Sequence, residues 1–303
     1  MWRLSELPPP PAGYLPQHDR RGILWVRREH AAALARAGFG PASAVVLPTS
    51  GHAGRRPLAL LALDTGRCLV RSYSHGGLAR WLTGRRFLDP RRPFAELALS
   101  EALHARGIAT PEVVAARARR VPLAGFELDL ATREVPDSVD LATLLANLQS
   151  GAAPSAPLAP LLFELGRFLE RVHTAGLIHA DLQPANLLLE RGALRGVAPR
   201  YWILDLDRSR LGPSLALEER GRNLGRLLRH VRRRQVERAS AGLSGTDLAR
   251  VLSGYEPDRA ARKRLWSSIR SHSTSTLFLH RIGWWLERLF TRGRVTPREA
   301  HAG

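Results

Sequence analysis

The segment Leu177 to Leu189 reads LIHADLQPANLLL, and residues 201–207 read YWILDLD. Reduced to side chains that can do chemistry, this is His179, Asp181 and Asn186 in the pattern His-x-Asp-x(4)-Asn, then an apolar strand that ends in Asp205. Two carboxylates and an amide in this order suit phosphoryl transfer. One carboxylate must sit beside an attacking hydroxyl to orient it or accept its proton. A second carboxylate and an amide oxygen must hold magnesium against nucleotide phosphates, because magnesium prefers hard oxygen ligands in near-octahedral geometry. Asp181 is the candidate base, Asn186 and Asp205 the candidate metal ligands, and His179 a brace for the loop. The alternative is a set of loop and cap residues in an unrelated helical protein. Polar groups flanked by Leu177-Ile178 and Leu187–Leu189 are costly to hold near a core, which favours a functional reason.

The elements that must position these residues fall into two parts. Residues 1–43 read as a lead-in, irregular over 1–20. Residues 44–135 read as a small strand-rich lobe: Val45–Leu47, Leu58–Leu63 and Cys68–Tyr73 are apolar runs separated by turn signals, and Val113–Ala116 and Phe126–Leu130 are further strand candidates. Between them, Phe94 to Arg106 reads as a helix, with Pro93 before it and Gly107 after it. Residues 136–303 read as a helical lobe. Ser138 to Gln149 and Leu161 to His173 are helices, Tyr201–Leu206 is a strand, and the chain beyond Glu218 is helical. The fold class expected is α+β with two lobes.

Composition bounds the rest. The chain has 303 residues, 44% of them hydrophobic, which is enough to bury a core. A single cysteine, Cys68, excludes an intrachain disulfide and any multi-cysteine metal site. The formal net charge is +19, and all basic residues except Lys263 are arginines. Such a surface favours anionic partners. The start, MWRLSELPPPPAGYLP, has no apolar core of a signal peptide, and no run of apolar residues is long enough to span a bilayer.

The motifs taken together resemble the bacterial 3-deoxy-D-manno-octulosonic acid (Kdo) kinases of lipopolysaccharide core assembly, which have a protein-kinase-like fold. LVRSYSHGGLARWL at 69–82 is similar to that family's arginine–tyrosine strand and Gly-Gly turn. FAEL at 94–97 resembles the stretch around its acidic helix residue, and the HADL…N loop and ILDLDRSRL resemble its HADL…N loop and IDFDR-like strand, with Leu206 where the family has Phe. Asn223-Leu224-Gly225-Arg226-Leu227 and Ser253-Gly254-Tyr255 look like its C-terminal helices, so the resemblance covers roughly residues 44–256. It implies ATP and Mg2+ as cofactors and transfer to a Kdo residue, at its 4-hydroxyl, on a lipid A precursor at the cytoplasmic face of the inner membrane. Arg71 stands where most kinases place a phosphate-binding lysine, and arginine offers a planar fork of donors for that task. Its partner is Glu96, which shares a helix face with Leu99 and Leu103; Glu101 is a competing partner.

Further readings carry alternatives. Gly51 and Gly54 form either a loop over the nucleotide phosphates or an ordinary hairpin turn. Residues 132–135, with Thr132 and Glu134, are the expected hinge whose backbone binds adenine. Asp207 and Arg208 bind substrate or support the Asp205 loop. RLLRHVRRRQVER at 226–238 is either a solvated basic face or an attraction to anionic lipid, and LFLHRIGWWLERLF at 277–290 is a terminal helix or a membrane contact. A core heptose kinase, another small-molecule kinase and a non-catalytic scaffold are the other functions in play. No nucleic-acid motif accompanies the charge, and no obligate protein partner is expected. The short stretch RSRLGPSLAL between Asp207 and Glu218, without an Ala-Pro-Glu triplet, argues against a peptide acceptor.

Overall fold

Two strands precede the point where the strand-rich part was expected to begin. In the computed structural model, which describes residues 7–43, 58–64, 66–74, 86–121, 125–151, 155–237 and 243–272, Tyr14–Asp19 (β1) and Gly22–Arg27 (β2) form an antiparallel hairpin. The reading of these residues as an irregular lead-in is therefore corrected. β1 hides because half of YLPQHD is exposed and it carries Pro16, but it lies at the sheet edge, where a missing donor costs no ladder bond. Ala31–Arg36 (α1) follows.

The main sheet has the order β1-β2-β5-β6-β4-β3, every neighbour antiparallel. Its other strands are Ala59–Leu63 (β3), Gly66–Ser72 (β4), Val113–Arg120 (β5) and Phe126–Arg133 (β6). Arg92–His104 (α2) packs on one face, where Phe94 and Leu97 meet Trp25, Leu128 and Leu130. On the other face Leu34 and Phe39 cover Leu24, Val26, Cys68 and Val70. The period-2 alternation of β4 thus sends Cys68 and Val70 to the α1 face, and Arg71 and Tyr73 to the α2 face. The expected strand Val45–Leu47 lies outside the described residues.

The remaining chain surrounds a second core. Ser138–Asp140 is a strand (β7), not the first turn of a helix as expected; Asp140 then caps Leu141–Gln149 (α3) by accepting from the Thr143 N–H. Leu158–Thr174 (α4) crosses Gly245–Tyr255 (α6) so closely that a Cβ on Gly166 or Gly254 would overlap the other helix's backbone. Leu177–Ile178 (β8) pairs with Arg210–Leu211 (β11). Leu187–Glu190 (β9) lies between β7 and Tyr201–Ile203 (β10). The β10 strand stops at Ile203, so Leu204 to Leu206 belong to the following loop and not to the expected strand. Leu217–Glu237 (α5), α6 and a helix over 259–272 (α7) complete the fold. Among the described residues no helix is long and apolar enough to cross a membrane. Residues 277–290 lie outside them.

Candidate active site

The polar centre of LIHADLQPANLLL is a loop between β8 and β9, held by backbone groups. Asp181 N–H donates to His179 Nδ1 at 3.2 Å, so His179 Nε2 carries the proton and donates to Leu204 O at 2.8 Å. Burial lowers the His179 pKa and keeps the ring neutral, although the Leu204 hydrogen bond and the nearby Asp205 oppose it. Asn186 donates from Nδ2 to Asp181 O at 2.8 Å, and its backbone carbonyl accepts the Leu204 N–H at 2.9 Å. His179 and Asn186 therefore both grip Leu204, the residue before Asp205. Asp181 itself is half exposed, and Gln183 Nε2 donates to its Oδ2 at 2.6 Å.

The Asp205 loop is strained and pinned. Asp205 and Arg208 have φ of +56° and +58°, a region that L residues enter only when their surroundings enforce it. Three groups from the sheet part do so. Arg71 Nη1 binds Asp205 Oδ1, Glu96 Oε1 accepts the Leu206 N–H at 3.1 Å, and Arg92 forks onto Asp207, with Nε 3.1 Å from Oδ1 and Nη2 on Oδ2. The Arg92 guanidinium also lies over the rings of Phe87 and Tyr73, 4.9 and 5.2 Å from their centroids. Arg208 is mostly exposed, with Nε 4.0 Å from Asp207 Oδ2.

Arg71 joins the two parts of the molecule. Its Nη2 lies 2.6 Å from both oxygens of Glu96, and Tyr73 donates its hydroxyl to the same carboxylate. Burial alone would lower the Arg71 pKa, but the Glu96 carboxylate, with Asp205, outweighs it and holds the guanidinium firmly charged. Of the two candidate partners, the structure selects Glu96. Glu101 instead pairs with Arg27 at 2.6 Å and accepts from the Tyr14 hydroxyl at 3.0 Å.

Beneath the loop lies a neutral network that sequence reasoning missed. Asn223 donates to His179 O at 2.7 Å and accepts from His173 Nε2 at 3.1 Å, and Tyr255 donates its hydroxyl to His173 Nδ1 at 2.8 Å. Burial pushes the His173 pKa down to about 4. The available signal was Asn223 and Tyr255 within the two C-terminal motifs; His173, on a helix read only for its apolar face, offered none.

Other expected site residues lie elsewhere or unseen. Gly51 and Gly54 fall outside the described residues. The segment 132–135 is not a free connector. Thr132 sits inside β6, paired with both Leu69 and Val113, and Glu134 gives its N–H to Arg67 O while its carboxylate pairs with the Arg67 side chain. A cavity of about 930 Å³ opens near Glu134, lined also by Thr110, Glu112, Arg200 and Trp202, but it contains none of Arg71, Asp181, Asn186 or Asp205.

Asn186 Oδ1 and Asp205 Oδ2 accept no hydrogen bond from the described residues, which leaves two hard oxygens of the type magnesium takes, the second on the carboxylate that Arg71 holds.

Comparison with known proteins identifies the family. The profile of the lipopolysaccharide kinase (Kdo/WaaP) family matches residues 52–255. A 3-deoxy-D-manno-octulosonic acid kinase of Stenotrophomonas maltophilia is 32% identical over 211 residues, covering 68% of this chain and 78% of its own. One from Actinobacillus succinogenes is 29% identical over 195 residues, 62% of this chain and 74% of its own. Among solved structures, WaaP in complex with acyl carrier protein superposes with a TM-score of 0.51 at 19% identity, over 80% of this chain and 90% of that one, which places the fold among the kinase-like folds. With a profile that spans two thirds of its length and relatives near 30% identity, the chain belongs to the lipopolysaccharide kinase (Kdo/WaaP) family.

Proposed function

We propose that this protein transfers the γ-phosphoryl group of ATP to a hydroxyl of the Kdo sugar on a Kdo-bearing lipid A precursor. Asp181 orients the acceptor hydroxyl. As that oxygen bonds to the γ-phosphorus, the bond to the β–γ bridging oxygen breaks, ADP leaves, and the proton passes to Asp181. Asn186 and Asp205 would hold a magnesium ion, whose charge would offset that of the nucleotide phosphates. Arg71, fixed by Glu96, meets the phosphates with its planar fork. His179 keeps the Asp181 and Asp205 loops in register, and Arg92 with Asp207 holds the Asp205 loop in its strained form. Positioning and electrostatics carry the rate. The lipid acceptor and the net charge of +19 suit work at the anionic cytoplasmic face of the inner membrane.

The observation that carries this reading is the junction of Arg71 with both Glu96 and Asp205, which ties the sheet to the loop following the His-x-Asp motif. The test is transfer of radiolabelled phosphate from ATP, with magnesium, to a Kdo-bearing lipid A precursor. Label enters the glycolipid with wild type and not with Asp181→Ala or Asp205→Ala. If wild type binds ATP but labels only a different sugar, the acceptor is wrong. If it binds no ATP, the kinase reading falls and a scaffold takes its place.

A further inference from the structure

The basic helix α5 brings two basic side chains to the Asp181 loop that the reaction described above does not use. Its apolar stripe, Leu224, Leu227 and Leu228, packs against the helical core. Arg226 and His230, four residues apart, share another row of the helix, about 6 Å from one another along it. His230 Nε2 lies 4.0 Å from Asp181 Oδ1, the oxygen that Gln183 leaves. Arg226 is partly buried one turn earlier, close enough to act electrostatically on His179 and Arg229, and it forms no hydrogen bond or ion pair with any described residue. A guanidinium never gives up its charge in a protein, and partial burial without a carboxylate leaves a concentrated positive potential beside the Asp181 loop. The missing counter-charge has to come from a ligand or from solvent.

We infer that Arg226 and His230 form an oxyanion subsite that binds the carboxylate of a sugar-acid acceptor and so presents its hydroxyl to Asp181. The inference rests on the proposed role of Asp181. An oxyanion at this place has two sources, the acceptor's carboxylate and the γ-phosphate of the nucleotide. The acceptor is favoured because the proposed reaction assigns the phosphates to Arg71, which reaches in from the sheet, whereas His230 reaches Asp181 from the helical part and Arg226 lies near His179 of the same loop.

The test uses the full chain as wild type, Arg226→Gln, Arg226→Lys and His230→Gln, all checked for folding by thermal melting. KM is measured for the Kdo-bearing acceptor and for ATP. Binding of free Kdo, and of Kdo with its carboxylate converted to the amide, is measured by titration calorimetry with a non-hydrolysable ATP analogue present. Losing a charge-assisted hydrogen bond to the carboxylate raises the acceptor KM about tenfold or more in Arg226→Gln. The ATP KM stays put, Arg226→Lys recovers part of the loss, and the amide binds wild type as weakly as the acid binds Arg226→Gln. An unchanged acceptor KM overturns the subsite while leaving the kinase reading intact. A rise in the ATP KM instead also overturns it, by assigning the cation to the nucleotide phosphate. Arg226-dependent binding of free Kdo without any phosphate transfer upholds the subsite and removes the proposed reaction.

Discussion

Two arginine–carboxylate pairs sit on opposite faces of the same sheet and differ in what they leave unsatisfied. On the α1 face, Arg117 donates to Asp129 Oδ2 from Nε at 3.0 Å and from Nη2 at 2.7 Å, and the two residues are direct partners across β5 and β6. The rest of the pair is engaged by protein groups. Ser72 donates to Asp129 Oδ1, Arg117 Nη1 reaches the carbonyls of Gly40 and Ser43, and Phe39 covers the guanidinium 4.0 Å away. On the α2 face, Arg71 and Glu96 are paired as tightly, but Arg71 is still 29% exposed and its second nitrogen reaches Asp205, itself 38% exposed. The first pair is closed and the second opens on a loop under backbone strain. A buried charge pair is therefore no marker of a site by itself; the marker is a pair whose donors continue outward to a group that water and ligand can reach.

That contrast can be broken by experiment. The largest expected effect is on the closed face: Asp129→Asn leaves Arg117 buried beside a neutral group and costs about 3–5 kcal/mol of folding stability, read by chemical denaturation, while the protein that remains folded keeps its turnover. A turnover loss equal to that of a site variant would erase the distinction.

The closed neutral network gives the next effect. His173 has an ordinary pKa of 6.5 when unfolded and about 4 when folded. Between these values the unfolded chain binds the extra proton, so stability rises with pH across this window and falls as pH drops from 6.5 towards 4, by about 3 kcal/mol in all. His179, also lowered, adds to the loss in the same direction. Denaturation midpoints measured from pH 7 to pH 4 should show this slope, and His173→Gln should flatten it.

On the open face the effect moves from stability to rate. Glu96→Gln weakens the hold on Arg71 and on the Leu206 N–H, and phosphoryl transfer should fall about 100-fold, near 2.7 kcal/mol, with a smaller change in melting than Asp129→Asn produces. The smallest expected effect is Arg92→Gln, which frees Asp207 and should cost about tenfold in kcat. Arg92→Lys should recover little of it, because a point charge cannot reproduce the two-pronged contact. Full rescue by lysine would show that charge alone matters at this position.

How much of this was legible before folding depends on range. The strands Ala59–Leu63 and Gly66–Ser72 and the helix Arg92–His104 follow from apolar runs, turn residues and Pro93, all local signals. β1 was missed because an edge strand need not alternate strongly, β2 because its continuous buried run Ile23–Val26 shows no period-2 alternation, and β7 because three residues carry no period. Glu96 over Glu101 was preferred by helix face, yet the spacing left both open, and the competing pull of Arg27 and Tyr14 on Glu101 comes from a hairpin the sequence did not announce.

By itself, the sequence determined the order His179, Asp181, Asn186 and Asp205, and the alternation that sends Arg71 and Cys68 to opposite faces of β4, because both are properties of neighbours along the chain. Only the tertiary structure decided that Arg71 meets both Glu96 and Asp205, that Arg117 closes on Asp129, and that His230 stands beside Asp181. Those pairings join residues 12 to 134 positions apart, and strand order with helix packing, not local propensity, sets which charges come within reach of one another.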